Sequence, residues 1–288
     1  MFAMTNYDMI NNGSNDFYPE VEQVQVTKLP RKILNFKLEG NEITKVIDLD
    51  KNYSTLETIN FNLISDQGMW VKTHLLGQFP QLNTITVKSN TADFALSAEN
   101  NIPNIEKLIF TTNSGDTFIN WQAKSKSAID LIVNTRSGDT GLILSESIKN
   151  VALSSRSGEI YLKWKVVDPA SSLKIDNSSG DIHANIENGI NTARFHTKSG
   201  DIDLNFDKNW QVNSEFSLAT KTGDIMITIP EKINFLLSVL TATGEVEFKN
   251  LTEIKSDSKA RIFTQQISAE YPTINIQIET RTGDVLLQ

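Results

Sequence analysis

The sequence predicts an all-β protein: a single-stranded β-solenoid, or β-helix, built from stacked coils of about 20 to 23 residues. A Ser/Thr-Gly-Asp/Glu motif recurs at that interval, and apolar residues alternate with polar ones on both sides of each copy. Helical spacing is absent around the motif. Alternation with a period of two indicates half-buried strands. Self-similarity at a nearly constant interval is typical of a repeat architecture.

The repeat is centred on a turn motif that occurs in eight copies. Its glycines are Gly115, Gly138, Gly158, Gly180, Gly200, Gly223, Gly244 and Gly283. The acidic residues that follow them are Asp116, Asp139, Glu159, Asp181, Asp201, Asp224, Glu245 and Asp284. Because glycine adopts positive φ at little steric cost, it suits a tight corner between two strands. We predict that these sixteen residues form one structural turn in each coil.

The positions around the motif repeat as well. Seven and five residues before the glycine, and four after it, the residue is apolar in every copy, as with Phe195 and Leu204 around Gly200. Three residues before the glycine it is Ser, Thr or Asn. One strand-turn-strand unit cannot bury its apolar row alone. Stacked copies would bury these rows as one continuous core.

The chain divides into three segments by the regularity of this pattern. Residues 1–23 are predicted to be a flexible N-terminal tail, residues 24–54 an N-terminal cap, and residues 55–288 the solenoid, which is most regular over 85–288. Gly244 and Gly283 are 39 residues apart, almost two coils. We interpret the interval between them as a coil in which a charged loop replaces the usual corner.

One acidic residue per coil predicts a column of carboxylates about 4.8 Å apart, the spacing of adjacent strands. Basic residues two positions before the glycine predict ion pairs that relieve the repulsion. These residues are Arg136, Arg156, Lys198, Lys221 and Arg281. Calcium-binding β-rolls take ligands from adjacent turns, but their repeats are denser in Gly and Asp. We therefore predict that the column is structural and that the chain binds no metal or cofactor.

Two pairs of histidine and aspartate occupy equivalent positions in adjacent coils. His183 and Asp203 both lie three residues after the glycine, and Asp176 and His196 both lie four before it. Such pairs can serve general base chemistry. No serine or third ligand is distinguished beside them, so we interpret them as outward cross-coil pairs. We predict that the chain is not an enzyme; a carbohydrate-active β-helix enzyme using turn carboxylates is the minor alternative.

Composition disfavours several classes of partner. The net charge of −8 disfavours nucleic acid and anionic lipid, which require a basic surface. Without cysteine, disulfides and thiolate zinc sites are excluded. No apolar stretch is long enough to span a bilayer. The first twenty residues lack the basic and apolar regions of a secretory signal, which favours the cytoplasm.

The repeats at residues 197–202 (TKSGDI) and 220–225 (TKTGDI) resemble those of a bacterial adhesin family, the domain of unknown function 4097. The resemblance extends over residues 85–288. It implies a β-solenoid, frequent association with the envelope or cell surface, and no established catalytic residues. The localisation is thus open between the cell surface, which the resemblance implies, and the cytoplasm.

Two non-catalytic functions fit these observations. The first is an adhesin-like interaction module that presents a repetitive polar face to a protein or a glycan. The second is an intracellular structural scaffold that forms a homo-oligomer through the ends of the solenoid, where sheet edges are unpaired.

Overall fold

The computed structural model describes residues 32–40, 44–65, 68–166, 168, 170–230, 233–248, 252–256 and 261–288. The predicted fold class is confirmed: the described residues form a parallel β-solenoid. The predicted flexible tail, residues 1–23, lies outside the described residues.

The described residues form twenty-four strands in two sheets. They are β1 (Ile33–Glu39), β2 (Thr44–Leu49), β3 (Thr58–Ile64), β4 (Trp70–Leu75), β5 (Thr84–Ser89), β6 (Asp93–Ala98), β7 (Lys107–Ser114), β8 (Thr117–Trp121), β9 (Ile129–Ser137), β10 (Thr140–Leu144), β11 (Ile148–Ser155), β12 (Ile160–Lys165), β13 (Ser172–Asn177), β14 (Ile182–Glu187), β15 (Thr192–His196), β16 (Ile202–Phe206), β17 (Ser214–Thr220), β18 (Ile225–Thr228), β19 (Asn234–Thr241), β20 (Val246–Phe248), β21 (Thr252–Ser256), β22 (Arg261–Gln265), β23 (Thr273–Thr280) and β24 (Val285–Leu287).

Successive strands alternate between sheet A and sheet B, except that β21, β22 and β23 all belong to sheet A. From β7 onward, the turn motif joins the two strands of each coil. Sheet A has the order β1-β3-β5-β7-β9-β11-β13-β15-β17-β23-β19-β22-β21, and sheet B has the order β2-β4-β6-β8-β10-β12-β14-β16-β18-β24-β20. The inward rows form one continuous core between the sheets. Phe195 and Leu204, predicted to point inward, are both 0% exposed. The alternation of apolar and polar residues along each strand therefore predicted the buried positions correctly.

The motif glycines are required by a close approach between coils. A Cβ on Gly158 would overlap the backbone oxygen of Gly138 in the neighbouring coil. Gly158 also has a φ of 124°, as a tight corner requires. Gly283 has no left-handed φ, yet its Cβ would overlap the oxygen of Gly223. Not every motif glycine therefore needs a positive φ. In every copy, however, the backbone of the neighbouring coil lies too close for a Cβ.

The last coil of the chain is an interior coil of the stack. In sheet A, β23 lies between β17 and β19, and in sheet B, β24 lies between β18 and β20. In space, the coil of Gly223 is therefore followed by the coil of Gly283 and then by that of Gly244. Sequence order predicts Gly223 and Gly244 as neighbours, and this prediction is wrong.

The interval between Gly244 and Gly283 contains an antiparallel hairpin. Strands β21 and β22 pair antiparallel with each other, and β22 pairs antiparallel with β19 at the end of sheet A. Our interpretation of this interval as a coil with a charged loop at its corner is therefore wrong. Residues 257–260 of that loop lie outside the described residues.

Regular coils begin earlier than the sequence pattern indicates. We expected them from near residue 55, but β1 and β2 already pair in parallel with β3 and β4. The described part of the predicted cap is thus itself a coil. Its inward residues Leu34, Phe36 and Leu38 are only half-buried. The role of residues 24–54 as a cap stays a prediction.

Candidate functional site

The eight turn motifs lie side by side and form one edge of the solenoid, which we call the turn edge. Along it, a carboxylate Oδ1 in one coil accepts a hydrogen bond from the backbone N–H of the acidic residue in the next coil, at 2.7 to 2.8 Å. Asp93 is the acidic residue at the turn of the coil before Gly115, where Ala92 replaces the glycine. The donor and acceptor residues are, in order, Asp116 and Asp93, Asp139 and Asp116, Glu159 and Asp139, Asp201 and Asp181, Asp224 and Asp201, Asp284 and Asp224, and Glu245 and Asp284.

These hydrogen bonds explain why one acidic residue recurs in each turn. A charged acceptor makes a stronger hydrogen bond to an N–H group than a neutral one. The sequence of bonds also follows the order of the coils in space, because Asp284 links Asp224 to Glu245. The geometry thus supports the structural role predicted for the motif carboxylates.

The predicted ion pairs on the turn edge are wrong. Among the described residues, no ion pair joins Arg136, Arg156, Lys198, Lys221 or Arg281 to a motif carboxylate. Arg136 instead donates to the side chain of Asn113 at 3.5 Å. The Asp carboxylates of the turn edge are instead stabilised by backbone N–H groups, which their short side chains reach directly.

The pKa of the Asp116 carboxyl, on the turn edge, is raised above its ordinary value. Burial raises the pKa of the Asp116 carboxyl most, and the charges of Asp93 and Asp139 raise it further. The hydrogen bond from the Asp139 N–H opposes this shift of the pKa. Burial, more than the stacking of like charges, therefore raises the pKa of Asp116.

Calcium is expected not to bind the turn edge. Each coil supplies one motif carboxylate, and most of these already accept a backbone N–H. The described part of the chain contains no group of three or more His, Cys, Asp or Glu residues that could hold a metal ion. Calorimetric titration with calcium should show no binding in the micromolar range. A stoichiometric signal that disappears in Asp181→Ala and Asp201→Ala would contradict this prediction.

The outward face of sheet B contains a cluster beside the turn edge, which we call the Tyr161 cluster: Glu159, Tyr161, His183 and Asp203. Tyr161, His183 and Asp203 are aligned on β12, β14 and β16. The Tyr161 ring stacks on His183 with centroids 5.0 Å apart and planes 13° apart. His183 Nδ1 lies 3.7 Å from Asp203 Oδ2, so the predicted His183–Asp203 pair is confirmed.

Sequence reasoning overlooked Tyr161. It occupies the same outward position as His183, three residues after the motif glycine, and this alignment could have identified it. Its hydroxyl donates a hydrogen bond to the Glu159 carboxylate. Among the described turns, the Glu159 carboxylate accepts no hydrogen bond from the backbone N–H of Asp181, unlike the Asp carboxylates of the other turns. The series of carboxylate-to-backbone hydrogen bonds along the turn edge is therefore interrupted at the Tyr161 cluster.

The electrostatics of the cluster favour protonated side chains. The hydrogen bond to Glu159, then burial and nearby carboxylates, raise the pKa of Tyr161 to about 12. The Asp203 carboxylate beside the ring is the main cause that raises the pKa of His183, while burial opposes it. Tyr161 is thus a neutral hydrogen-bond donor at neutral pH. The cluster offers an aromatic ring with donors and acceptors around it, and no activated nucleophile.

The other two histidines also face an aspartate of the adjacent coil. The predicted pair is confirmed, with His196 Nδ1 3.6 Å from Asp176 Oδ1. His74 Nδ1 lies 3.2 Å from Asp48 Oδ1, a pair that the sequence comparison missed because β2 precedes the aligned repeats. Burial, then the charge of Lys72, lowers the pKa of His74. Because a His–Asp pair occurs at three places on the solenoid, we interpret these pairs as ordinary contacts between neighbouring coils and not as a dedicated catalytic dyad.

The pKa of His183 is expected to lie above its ordinary value of 6.5 and to fall in Asp203→Asn, which removes the charged acceptor. Because the folded pKa is raised, the stabilisation by this pair is fully present below about pH 6.5 and is lost as the pH rises through the folded pKa. NMR titration of the ring would measure both values. His74 is the internal control, since its pKa should be unchanged by the substitution. An unchanged His183 pKa would contradict the assigned cause.

The fold and this surface define a β-solenoid repeat protein with a continuous core and a polar outer surface. The chain belongs to the Toastrack DUF4097 family, whose model matches residues 46–288. The resemblance of the turn repeats to this family is therefore confirmed.

Comparison with solved structures finds one described as a "putative cell adhesion protein" from Clostridium sporogenes. It is 16% identical to this chain, with a TM-score of 0.32, and the match covers 42% of this chain and 57% of that one. No curated protein is detectably similar. Within the described residues, the structure contains no helix long and apolar enough to cross a membrane.

Proposed function

We propose that the chain is a non-catalytic, adhesin-like interaction module that binds a glycan or a protein through the outward face of sheet B around the Tyr161 cluster. The observation that carries the proposal is the half-exposed aromatic stack of Tyr161 on His183 within a polar sheet face. Tyr161 is 47% exposed. Of the large apolar side chains that are exposed among the described residues, it is the one with an aromatic ring.

The chemistry around Tyr161 suits recognition of a polar ligand. Tyrosine is enriched where binding energy concentrates, because it combines a large apolar surface with one hydrogen-bonding group. Glu159 and Asp203 supply acceptors at either side of the ring stack, and His183 supplies a ring N–H. Lys163, on the same strand as Tyr161, pairs with Glu187 at 3.6 Å and adds a cation next to them. Such a set can satisfy several hydroxyl or amide groups at once.

A glycosidase is the less favoured assignment. That reaction needs one carboxyl group held protonated and one held ionised beside a bound sugar. From Gly115 to Gly223 the coils are 20 to 23 residues long, so no long loop stands beside the turn carboxylates to form a cleft. Most of these carboxylates also accept a backbone hydrogen bond through Oδ1, which fixes them to the turns.

Binding to a panel of immobilised bacterial and host glycans would test the proposal. The expected result is binding that Tyr161→Ala weakens at least about tenfold, the loss typical of a central contact residue. Leu76→Ala is the matched control, since Leu76 is 48% exposed but lies on another part of the surface. Binding that survives Tyr161→Ala would place the site elsewhere. Absence of binding to any glycan would contradict the glycan assignment.

A further inference from the structure

The C-terminal coil fills a slot that the rest of the chain builds. β23 pairs with β17 from Ser214 to Thr220 on one side and with β19 from Asn234 to Thr241 on the other. β24 pairs likewise with β18 and β20. Without residues 273–288, two coils would face each other across a gap with unpaired edges on both sides. Such edges are templates for pairing with another strand.

The slot recognises a coil of this repeat. The Asp284 N–H donates to Asp224 at 2.8 Å, and the Asp284 carboxylate accepts from the Glu245 N–H at 2.7 Å. At the start of β23, the Thr273 N–H donates to the Asn213 side chain at 2.8 Å. These contacts depend on the Gly-Asp turn and the backbone. The same coil supplied by a second copy of the chain would make every one of them.

One buried side chain holds the connection that leads into the coil. Residues 266–272 join β22 to β23, and Asn234, which is 7% exposed, makes four hydrogen bonds to them. Its oxygen accepts from the N–H groups of Ile267 at 2.8 Å and Ser268 at 3.3 Å. Its amide donates to the carbonyls of Ser268 at 2.7 Å and Tyr271 at 2.8 Å. Asn234 thereby folds the connection back toward its own slot.

We propose that the C-terminal coil, residues 273–288, exchanges between two copies of this chain, each filling the slot of the other. Asn234 is the residue that favours insertion within one chain. Contacts inside the slot are the same in both forms. The balance therefore depends on the conformation of the connection and on protein concentration. This mode of self-association differs from contact between the solenoid ends, because a segment of each chain becomes an interior part of the other.

Engineered cysteines would distinguish the two forms, since the natural chain has none. Ser217 and Gln277 are paired positions on β17 and β23, and both are exposed. Adjacent strands are about 4.8 Å apart, within the Cα separation that a disulfide spans. The variant Ser217→Cys/Gln277→Cys is refolded at low and high concentration, oxidised and run on a denaturing, non-reducing gel. Exchange gives a covalent dimer whose fraction rises with concentration; insertion within one chain gives a covalent monomer.

Adding Asn234→Ala is expected to raise the fraction of covalent dimer roughly fivefold, the factor that corresponds to a lost buried hydrogen-bond contact. Asn177→Ala is the matched control, because Asn177 is also a buried amide with three hydrogen bonds but lies in the turn of another coil. Deletion of Ala269 and Glu270, which shortens the connection, is the second variant if Asn234→Ala does not fold. Crosslinks within single chains in every variant, or equal dimer fractions in Asn234→Ala and Asn177→Ala, would overturn the proposal.

Discussion

Replacing Phe195 by alanine is expected to lower the free energy of unfolding by about 3 to 5 kcal/mol, and Leu204→Ala by about 2 to 5 kcal/mol. Both side chains are fully buried on the two sides of the turn at Gly200. The ring of Phe195 stacks on that of Phe216 in the next coil, with centroids 6.5 Å apart. Coils above and below are held by their own strand pairing. They cannot collapse freely around a void, so the cavity persists.

Asp203→Ala is the control for these two substitutions, because Asp203 neighbours Leu204 but points outward. It should cost under about 0.5 kcal/mol, as exposed substitutions usually do. Chemical denaturation of the three variants would measure the differences. If Asp203→Ala proved as damaging as Leu204→Ala, the pairing of Asp203 with His183 would matter far more than an exposed ion pair should.

Gly158→Ala is expected to destabilise the protein by about 3 to 5 kcal/mol, through backbone strain together with steric overlap. The φ of Gly158 is 124°, and a Cβ there would overlap the Gly138 carbonyl oxygen in the neighbouring coil. That oxygen belongs to the backbone and cannot move aside without separating two coils. The cost should therefore exceed that of strain alone.

Gly40→Ala separates the two contributions. Gly40 has nearly the same φ, 123°, but a Cβ there would have no atom within 4 Å. Its substitution should cost only the strain, about 1 to 2 kcal/mol. Thermal or chemical denaturation of both variants gives the difference. Equal losses would show that the close approach between coils contributes little to the requirement for glycine.

The sequence alone determined the coil, its inward and outward positions, and the two His–Asp pairs between the coils of Gly180 and Gly200. Each of these depends only on alternation within a strand and on a nearly constant repeat length. That is why Phe195 and Leu204 are buried, and why His183 lies beside Asp203. Tyr161 was accessible to the same reasoning, because it shares the column of His183.

The partners of the turn carboxylates could be identified only from the tertiary structure. Sequence places Arg156 close to Glu159 and suggests an ion pair, since both lie at one turn. The distance to a backbone N–H in the next coil depends on how closely the coils stack, and this favours the backbone as the partner for most of the column. β1 and β2 likewise lack the motif, so only their pairing with the following coil identifies them as part of the stack.

The order of the last coils was also decided only by the tertiary structure. The coils at Gly244 and Gly283 carry equivalent motifs, so either one fits against the coil at Gly223 by local pattern. The structure places Gly283 there and leaves Gly244 beyond it, with β22 paired to the far side of β19. A repeat motif specifies what kind of neighbour a coil accepts. Which copy becomes that neighbour depends on how the connecting hairpin and Asn234 direct the chain back into the stack.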